Sequence, residues 1–257
     1  MTIAHLYWMD DDDTPFPPTS QALGANSEAP GLLAVGGQLG VRRLEQAYRH
    51  GIFPWYGEGQ PVHWWAPDPR MVLPVAEFKL QRSLRKTLAR FIRAPDCAVR
   101  IDSAFERVIA SCAGTLRNGQ RGTWIVPAMQ RAYGAWHRAG AVHSFETWVD
   151  GQLVGGLYGV GIGRMFFGES MFSHTTDASK IALAALVTFC RSWGITLIDC
   201  QQATGHLASL GAREIPRAAF EHHLALTLGA AGPPNWTYDS AQWAQLGLVT
   251  RSEPGPA

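Results

Sequence analysis

The segment from residue 142 to 168 most constrains the fold. Val142 to Val149 and Leu153 to Val160 are apolar runs separated by Asp150-Gly151. Asp-Gly favours the left-handed backbone of a two-residue hairpin turn, so the runs predict neighbouring antiparallel strands. Gly161 to Arg164 then turn the chain into a third strand, Met165 to Gly168. A helix is expected from about Ala178 to Trp193, capped by Asp177 and ended by Gly194. A further strand follows at Ile195 to Gln201.

Helices flank this meander. Leu44 to His50 reads as a helix ended by Gly51, and Lys79 to Arg93 as a basic helix. Ser103-x-x-Glu106 has the form of a capping box, with Phe105, Val108, Ile109 and Cys112 at helical spacing. Pro127 opens a helix carrying Met129, Tyr133 and Trp136, which Gly140 closes. Short helices are expected at His206 to Leu210 and Arg217 to Leu228. This order predicts an α+β protein, with an acetyltransferase-like (GNAT-like) α/β sandwich around a mixed sheet. Residues 1–67 are rich in Pro and Gly and read as a small N-terminal domain. Residues 68–250 form the larger domain, and 251–257 a frayed tail.

Composition narrows the function. The chain has 257 residues, 46% hydrophobic and 17% charged, enough for a substantial core and too apolar for a disordered chain. Its 22 basic and 21 acidic residues give a net charge of +1, which excludes a broadly basic nucleic-acid coat. The total hides a local imbalance. Lys79, Arg82, Arg85, Lys86, Arg90 and Arg93 have no acid between them, while Asp10 to Asp13 are consecutive acids. Four cysteines without a C-x-x-C pair argue against a disulfide framework or structural zinc and for thiols in a reducing cytosol. The acid run stands where a secretion signal needs apolar residues, and Ile181 to Phe189 is too short to span a bilayer. The expectation is a soluble cytoplasmic protein without membrane partners.

Several motifs fail their context. Gly159-x-Gly161-x-Gly163 lies between two strands, so it reads as a hairpin and not as a dinucleotide loop. Gly168-Glu169-Ser170-Met171-Phe172 lacks the closing glycine of a nucleophile elbow. The nine histidines show no metal-ligand spacing. Two features survive. Asp199 and Gln201 alternate on one predicted strand, hence on one face, and Glu169 is a second acid at the end of another. The basic helix resembles an ordinary solvated face, but Trp55, Trp64 and Trp65 lie in a loop-rich stretch nearby in sequence. Stacking rings beside phosphate-binding cations fit a single-stranded RNA end.

Nine collinear motifs then become recognisable. They are Leu32-Leu33-Ala34-Val35-Gly36-Gly37, Gly51-Ile52-Phe53-Pro54-Trp55, Trp64-Trp65-Ala66-Pro67-Asp68-Pro69-Arg70, Gly122-Thr123-Trp124-Ile125, His143-Ser144-Phe145-Glu146, Gly155-Gly156-Leu157-Tyr158-Gly159, Phe167-Gly168-Glu169-Ser170-Met171-Phe172-Ser173, Leu197-Ile198-Asp199-Cys200-Gln201 and Ser209-Leu210-Gly211-Ala212. Together they resemble the bacterial leucyl/phenylalanyl-tRNA–protein transferases, from about residue 14 to 225. The sequence departs from that pattern at Gln38 and Gly40, where the family has Asp and Ser, and at Thr204, where Asn is common.

The resemblance implies transfer of Leu or Phe, with Met a third candidate, from aminoacyl-tRNA to proteins beginning with Arg or Lys. The products are then marked for N-degron proteolysis. It implies no metal and no coenzyme. On this basis Asp199 is expected to orient the acceptor amine and take its proton, Gln201 to hold the amine or the ester carbonyl, and Glu169 to complement the cationic acceptor. Leu157, Met171, Leu183, Leu186 and Ile198 are expected to line the aminoacyl pocket, although ordinary core residues would look the same. Trp55 and Trp124 are candidates for the terminal adenosine, and Arg82, Arg85, Lys86 and Arg90 for acceptor-stem phosphates. A monomer is expected, since no self-complementary patch is evident. An acyl-CoA N-acetyltransferase of the same fold and a non-catalytic tRNA-binding module are the alternatives.

Overall fold

The computed structural model describes residues 6–11, 13–115 and 125–248. In chain order the elements are β1 (Tyr7–Met9), β2 (Leu32–Gly36), α1 (Val41–Arg49), β3 (Phe53–Pro54), β4 (His63–Trp65), β5 (Arg70–Pro74), α2 (Arg82–Arg93), β6 (Cys97–Ile101), α3 (Phe105–Gly114), α4 (Pro127–Arg138), β7 (Val142–Val149), β8 (Gln152–Ile162), β9 (Met165–Ser173), α5 (Ala178–Ser192), β10 (Leu197–Gln201), α6 (Gly205–Ser209), β11 (Arg213–Ile215) and α7 (Arg217–Thr227). Two mixed sheets organise them. The small sheet has the order β1-β2-β4-β3, with β1 and β2 parallel. The seven-stranded sheet has the order β11-β5-β10-β9-β8-β7-β6, in which β9 and β10 are the parallel pair.

The expected hairpin forms. Asp150 and Gly151 take φ of 50° and 70°, and Val149 faces Gln152 across the turn. Alternation then divides the apolar side chains between two cores. Leu157 and Phe166 face the layer of α2 and α5, whereas Tyr158 and Phe167 face α3, α4 and the small sheet. α5 is buried along most of its length, as its apolar sequence requires of a central helix. It approaches β8 closely at Gly155, where a Cβ would lie 2.4 Å from the Cβ of Ala178. At Gly159 a Cβ would lie 2.3 Å from the Phe167 carbonyl oxygen. The glycine-rich stretch of β8 is therefore a packing device.

Some local expectations are corrected. α2 starts at Arg82, which leaves Lys79 outside it, and β9 continues to Ser173 instead of stopping at Gly168. The capping box at Ser103 does not form. Glu146 reaches over from β7, accepts the Ser103 hydroxyl, and takes the Ala104 N–H at 2.7 Å, while Glu106 pairs with Arg138. Asp177 stands at the start of α5 with φ 65°, but its carboxylate binds Lys180 and Thr87 instead of capping the helix.

Glu146 also accepts hydrogen bonds from the Ser144 hydroxyl and the Trp148 indole, each at 2.9 Å, and is wholly buried. Glu146→Leu strands these donors without acceptors. The substitution is expected to lower stability by about 2–4 kcal/mol, read from urea unfolding.

Candidate active site

β9 and β10 pair at Ile198–Phe166 and Asp199–Phe167. Next to this short ladder a cavity of about 620 Å³ opens, lined from β8, β9, β10, α5, α6 and the Phe53–Trp55 segment. Two β-bulges shape it. Between Tyr158 and Gly159 of β8, β9 passes from Ser170 to Gly168, so Glu169 is the extra residue. Between Met71 and Val72 of β5, β10 passes from Gln201 to Asp199, so Cys200 is the extra residue. Bulges re-aim side chains beside functional sites. Gln201 takes φ 56°, a left-handed conformation that costs a non-glycine residue about 1–2 kcal/mol.

Glu169 is the hub. Its Oε1 accepts from the Tyr48 hydroxyl at 2.6 Å and from Gln201 Nε2 at 3.1 Å, and its Oε2 accepts from the Tyr133 hydroxyl at 3.1 Å. The two phenol oxygens lie 2.5 Å apart. Three oxygen–oxygen contacts are thus served by two phenolic protons, so a third proton fits the network. Part of Glu169 faces the cavity, but its carboxyl is enclosed by protein. That burial raises its pKa to about 7, with a further push from Asp199, against the lowering by Tyr48, Tyr133 and Arg70. Burial and the Glu169 charge hold both tyrosines well above the ordinary phenol value.

Asp199 stands differently. Arg70 donates from Nε to Oδ1 at 2.8 Å and from Nη2 to Oδ2 at 2.6 Å, and the Gln201 N–H adds 3.0 Å to Oδ1. Both charged side chains are buried, and the Arg70 guanidinium lies 4.7 Å from the ring centres of Phe53 and Phe220. The clamp fixes the position of the Asp199 carboxylate in the buried end of β10. Cys200 also lines the cavity, but burial raises its pKa and keeps it a neutral thiol. Among the described residues, no group of His, Cys, Asp or Glu is arranged to hold a metal ion.

The apolar candidates converge. Leu157, Met171, Leu183, Leu186 and Ile198 all line the cavity, as do Asp199, Gln201, Glu169 and Trp55. Trp124 lies outside the described residues. On α2, Arg82, Lys86 and Arg90 are exposed, four residues apart on one face, and have no ion-pair partner among the described residues. Arg85 is engaged elsewhere, donating from Nη1 to the Leu246 carbonyl at 2.9 Å. Thr204, left without a role by the sequence, caps α6 by accepting the Leu207 N–H at 3.2 Å. Arg70, Tyr48 and Tyr133 are contributors that the sequence reading missed. A cation heading the apolar run Arg70-Met71-Val72-Leu73 needs a buried partner, and that was the available signal for Arg70. The tyrosines sit at core positions of helices and gave none.

Two outcomes follow from this geometry. Arg70→Met leaves Asp199 buried and unpaired, and should cost about 3–5 kcal/mol in urea unfolding. Adding Asp199→Leu should recover much of that loss. Glu169 carries the opposite sign. Its pKa is raised on folding from 4.5 to about 7, so its contribution is intact below pH 4.5 and is lost as pH rises through 7. Glu169→Gln should therefore gain up to about 3 kcal/mol relative to wild type at pH 8 and little at pH 4.

Comparison with known proteins adds an independent line. The family profile described as leucyl/phenylalanyl-tRNA protein transferase matches residues 72–225, and the profile for the N-terminal domain of the same proteins matches residues 37–68. A leucyl/phenylalanyl-tRNA–protein transferase of Methylibium petroleiphilum is 66% identical over 247 residues, covering 96% of this chain and 93% of the relative. Those of Leptothrix cholodnii and Albidiferax ferrireducens are 63% and 59% identical, covering 96% and 94% of this chain and 97% and 94% of their own lengths.

Proposed function

The chain belongs to the leucyl/phenylalanyl-tRNA–protein transferase family and is an aminoacyltransferase that moves an amino acid from tRNA to protein; from that premise we propose how its cavity performs the transfer. The observation that carries the proposal is the cavity's two-sided lining. Aliphatic side chains and a methionine form one part, and the enclosed Glu169 carboxyl with Gln201 forms the other.

The aliphatic part takes the Leu or Phe side chain of the donor. Apolar walls discriminate weakly by size, which suits a site that accepts both, and methionine as a third. Trp55 offers its ring to the terminal adenosine. The acceptor's α-amine, with a reference pKa near 7.7–8.0, attacks the ester carbonyl. A new C–N bond forms, the ester C–O bond breaks, and one proton must leave nitrogen while the ribose oxygen gains one. Glu169, with a pKa of about 7, is matched to take the first and return it to the second. Gln201 donates to Glu169 through Nε2, which leaves its carbonyl oxygen to accept from the amine. Asp199 and Arg70 hold Gln201 and the strand end in place. The proton-accepting role first expected of Asp199 thus passes to Glu169 in this reading.

The same reading extends to the partners. Acceptors begin with Arg or Lys, whose charge is complemented by ionised Glu169, and the products enter N-degron proteolysis. The protein acts as a cytoplasmic monomer. The exposed Arg82, Lys86 and Arg90 meet acceptor-stem phosphates, with Arg85 contributing less because it holds the Leu246 carbonyl. An acetyltransferase-like core over residues 68–250 is supported by a seven-stranded mixed sheet between helical layers. The four strands of the small sheet all lie within a 1–67 N-terminal unit.

The test is direct. The protein is incubated with an Arg-initiated peptide and either leucyl-tRNA or acetyl-CoA, and the peptide is weighed. A leucine mass increment with leucyl-tRNA is expected, and an acetyl increment would replace the reading. Glu169→Gln should lower kcat by about 10²–10⁴ and remove the inflection near pH 7 from the rate profile, where wild-type activity rises with pH.

A further inference from the structure

Two side chains at the mouth of the cavity, Lys180 and His206, have no part in the transfer described above. Lys180 stands three residues before Leu183 on α5, so the two share a helix face, and Leu186 follows after another three. Leu183 and Leu186 line the cavity and are 4% and 1% exposed, whereas the Lys180 side chain is 36% exposed. Burial that falls off in this order places Lys180 at the rim. Its Cβ tilts towards the N-terminal end of α5, away from the leucines. His206 of α6 lines the same cavity, and Lys180 is close enough for its charge to act on the imidazole.

Both residues sit on elements tied to the basic helix α2. Thr87 of α2 donates to Asp177 Oδ2 at 3.2 Å, and Asp177 Oδ1 holds Lys180 Nζ at 2.8 Å, so the start of α5 is fixed next to the turn that carries Lys86. Gln81 Nε2 donates to the Ser209 carbonyl at 3.2 Å and the Lys79 N–H to the Leu210 carbonyl at 2.9 Å, so the end of α6 is fixed next to Arg82. Lys180 and His206 thus occupy the ground between the exposed cations of α2 and the cavity. Asp177 takes one of the three ammonium N–H groups and is itself shared with Thr87, which leaves two donors on Lys180. The His206 ring has no hydrogen-bond partner among the described residues. Burial, with the Lys180 charge, holds its pKa below the ordinary value of 6.5, so at neutral pH the ring is an uncharged donor.

We propose that Lys180 and His206 bind the phosphate that joins the terminal nucleotide of the tRNA donor to the one before it. The inference rests on the donor reading given above. In that reading the aminoacyl group lies in the cavity and duplex phosphates lie on Arg82, Lys86 and Arg90, so the unpaired 3′ strand crosses the ground between them. The phosphate nearest the ester reaches the rim, where an ammonium and an imidazole N–H together suit a phosphate oxygen. The contact reads the backbone without base preference. It also fixes the distance from that phosphate to the ester, which helps to hold the reacting carbonyl at Gln201 and Glu169.

Two donors that differ by this one phosphate test it, 3′-O-leucyl-adenosine and its 5′-phosphate, each with an Arg-initiated peptide and the full chain. The quantity read is the ratio of their KM values. Wild type should favour the phosphorylated donor roughly tenfold. Lys180→Met keeps the Asp177–Thr87 tie and removes the charge, and should reduce the preference to roughly twofold or less. Lys180→Arg should retain most of it. His206→Phe keeps a ring without an N–H and should reduce it roughly threefold. A purely structural role would alter both donors alike and leave the ratio unmoved.

A wild-type ratio near one overturns the proposal, and a wild-type ratio retained in Lys180→Met or in His206→Phe overturns the assignment of that residue. Equal losses with both donors overturn it too, because the variants then act through the fold or the reaction site. If inorganic phosphate raises the Tm of wild type but not of Lys180→Met while the two donors stay equivalent, the rim takes free phosphate and the donor assignment fails. Wild-type transfer from leucyl-tRNA tests the donor reading separately, since it does not depend on which residues touch this phosphate.

Discussion

The buried pairing of Arg70 with Asp199 ties the structure together. Arg70 starts β5, Asp199 lies near the end of β10, and the two strands are neighbours in the large sheet. The third arm of the guanidinium, Nη1, donates to the Gly51 carbonyl at 3.0 Å, just beyond α1. One cation therefore fixes the end of β10 and the chain leaving the helix that carries Tyr48. The rings of Phe53 and Phe220 on the guanidinium add cation–π attraction and exclude water. A charge pair so enclosed gains little net stability over an apolar replacement, but it permits few alternative arrangements.

Geometry near the pair comes from irregularity. Regular strands would alternate Asp199 and Gln201 onto one face and leave Glu169 in the β8–β9 ladder. The bulges at Glu169 and Cys200 instead free these segments from strict pairing, and the left-handed Gln201 turns its amide onto Glu169. The local backbone cost is of order 1–3 kcal/mol and is sustained by the surrounding sheet. A site that must hold an amine, an ester and a mobile proton needs such fixed dipoles, since positioning supplies much of the rate.

Much of this was legible in the sequence because it rests on local rules. Asp150-Gly151, Pro127, Gly51 and Gly194 mark turns and helix ends by backbone preference alone. Leu183 and Leu186 share a helix face by period, and both reach the cavity. What was not legible depends on contacts far apart in sequence. Glu146 supplants the capping box at Ser103 from a strand more than forty residues away. Strand bulges leave no mark in an alternating pattern, so the sequence puts Glu169 at a strand end, whereas it sits at a bulge within β9. Tyr48 and Tyr133, separated by 85 positions, meet only when α1 packs on α4, and two buried tyrosines on helices look like core in any sequence.

The ion pair also sets the chemistry of its neighbour. The Asp199 charge raises the pKa of Glu169 and the Arg70 charge lowers it, so the two charges of the pair oppose each other at Glu169. An unpaired Asp199 would push Glu169 further up and leave it protonated at neutral pH, unable to accept a proton. An unpaired Arg70 would pull it down towards an ordinary carboxylate, too weak a base for an ammonium. Burial is the largest cause that raises Glu169 to about 7, and the phenols of Tyr48 and Tyr133 oppose it by stabilising the ionised form. The paired state of Asp199 and Arg70 is thus part of what places the Glu169 pKa near neutrality.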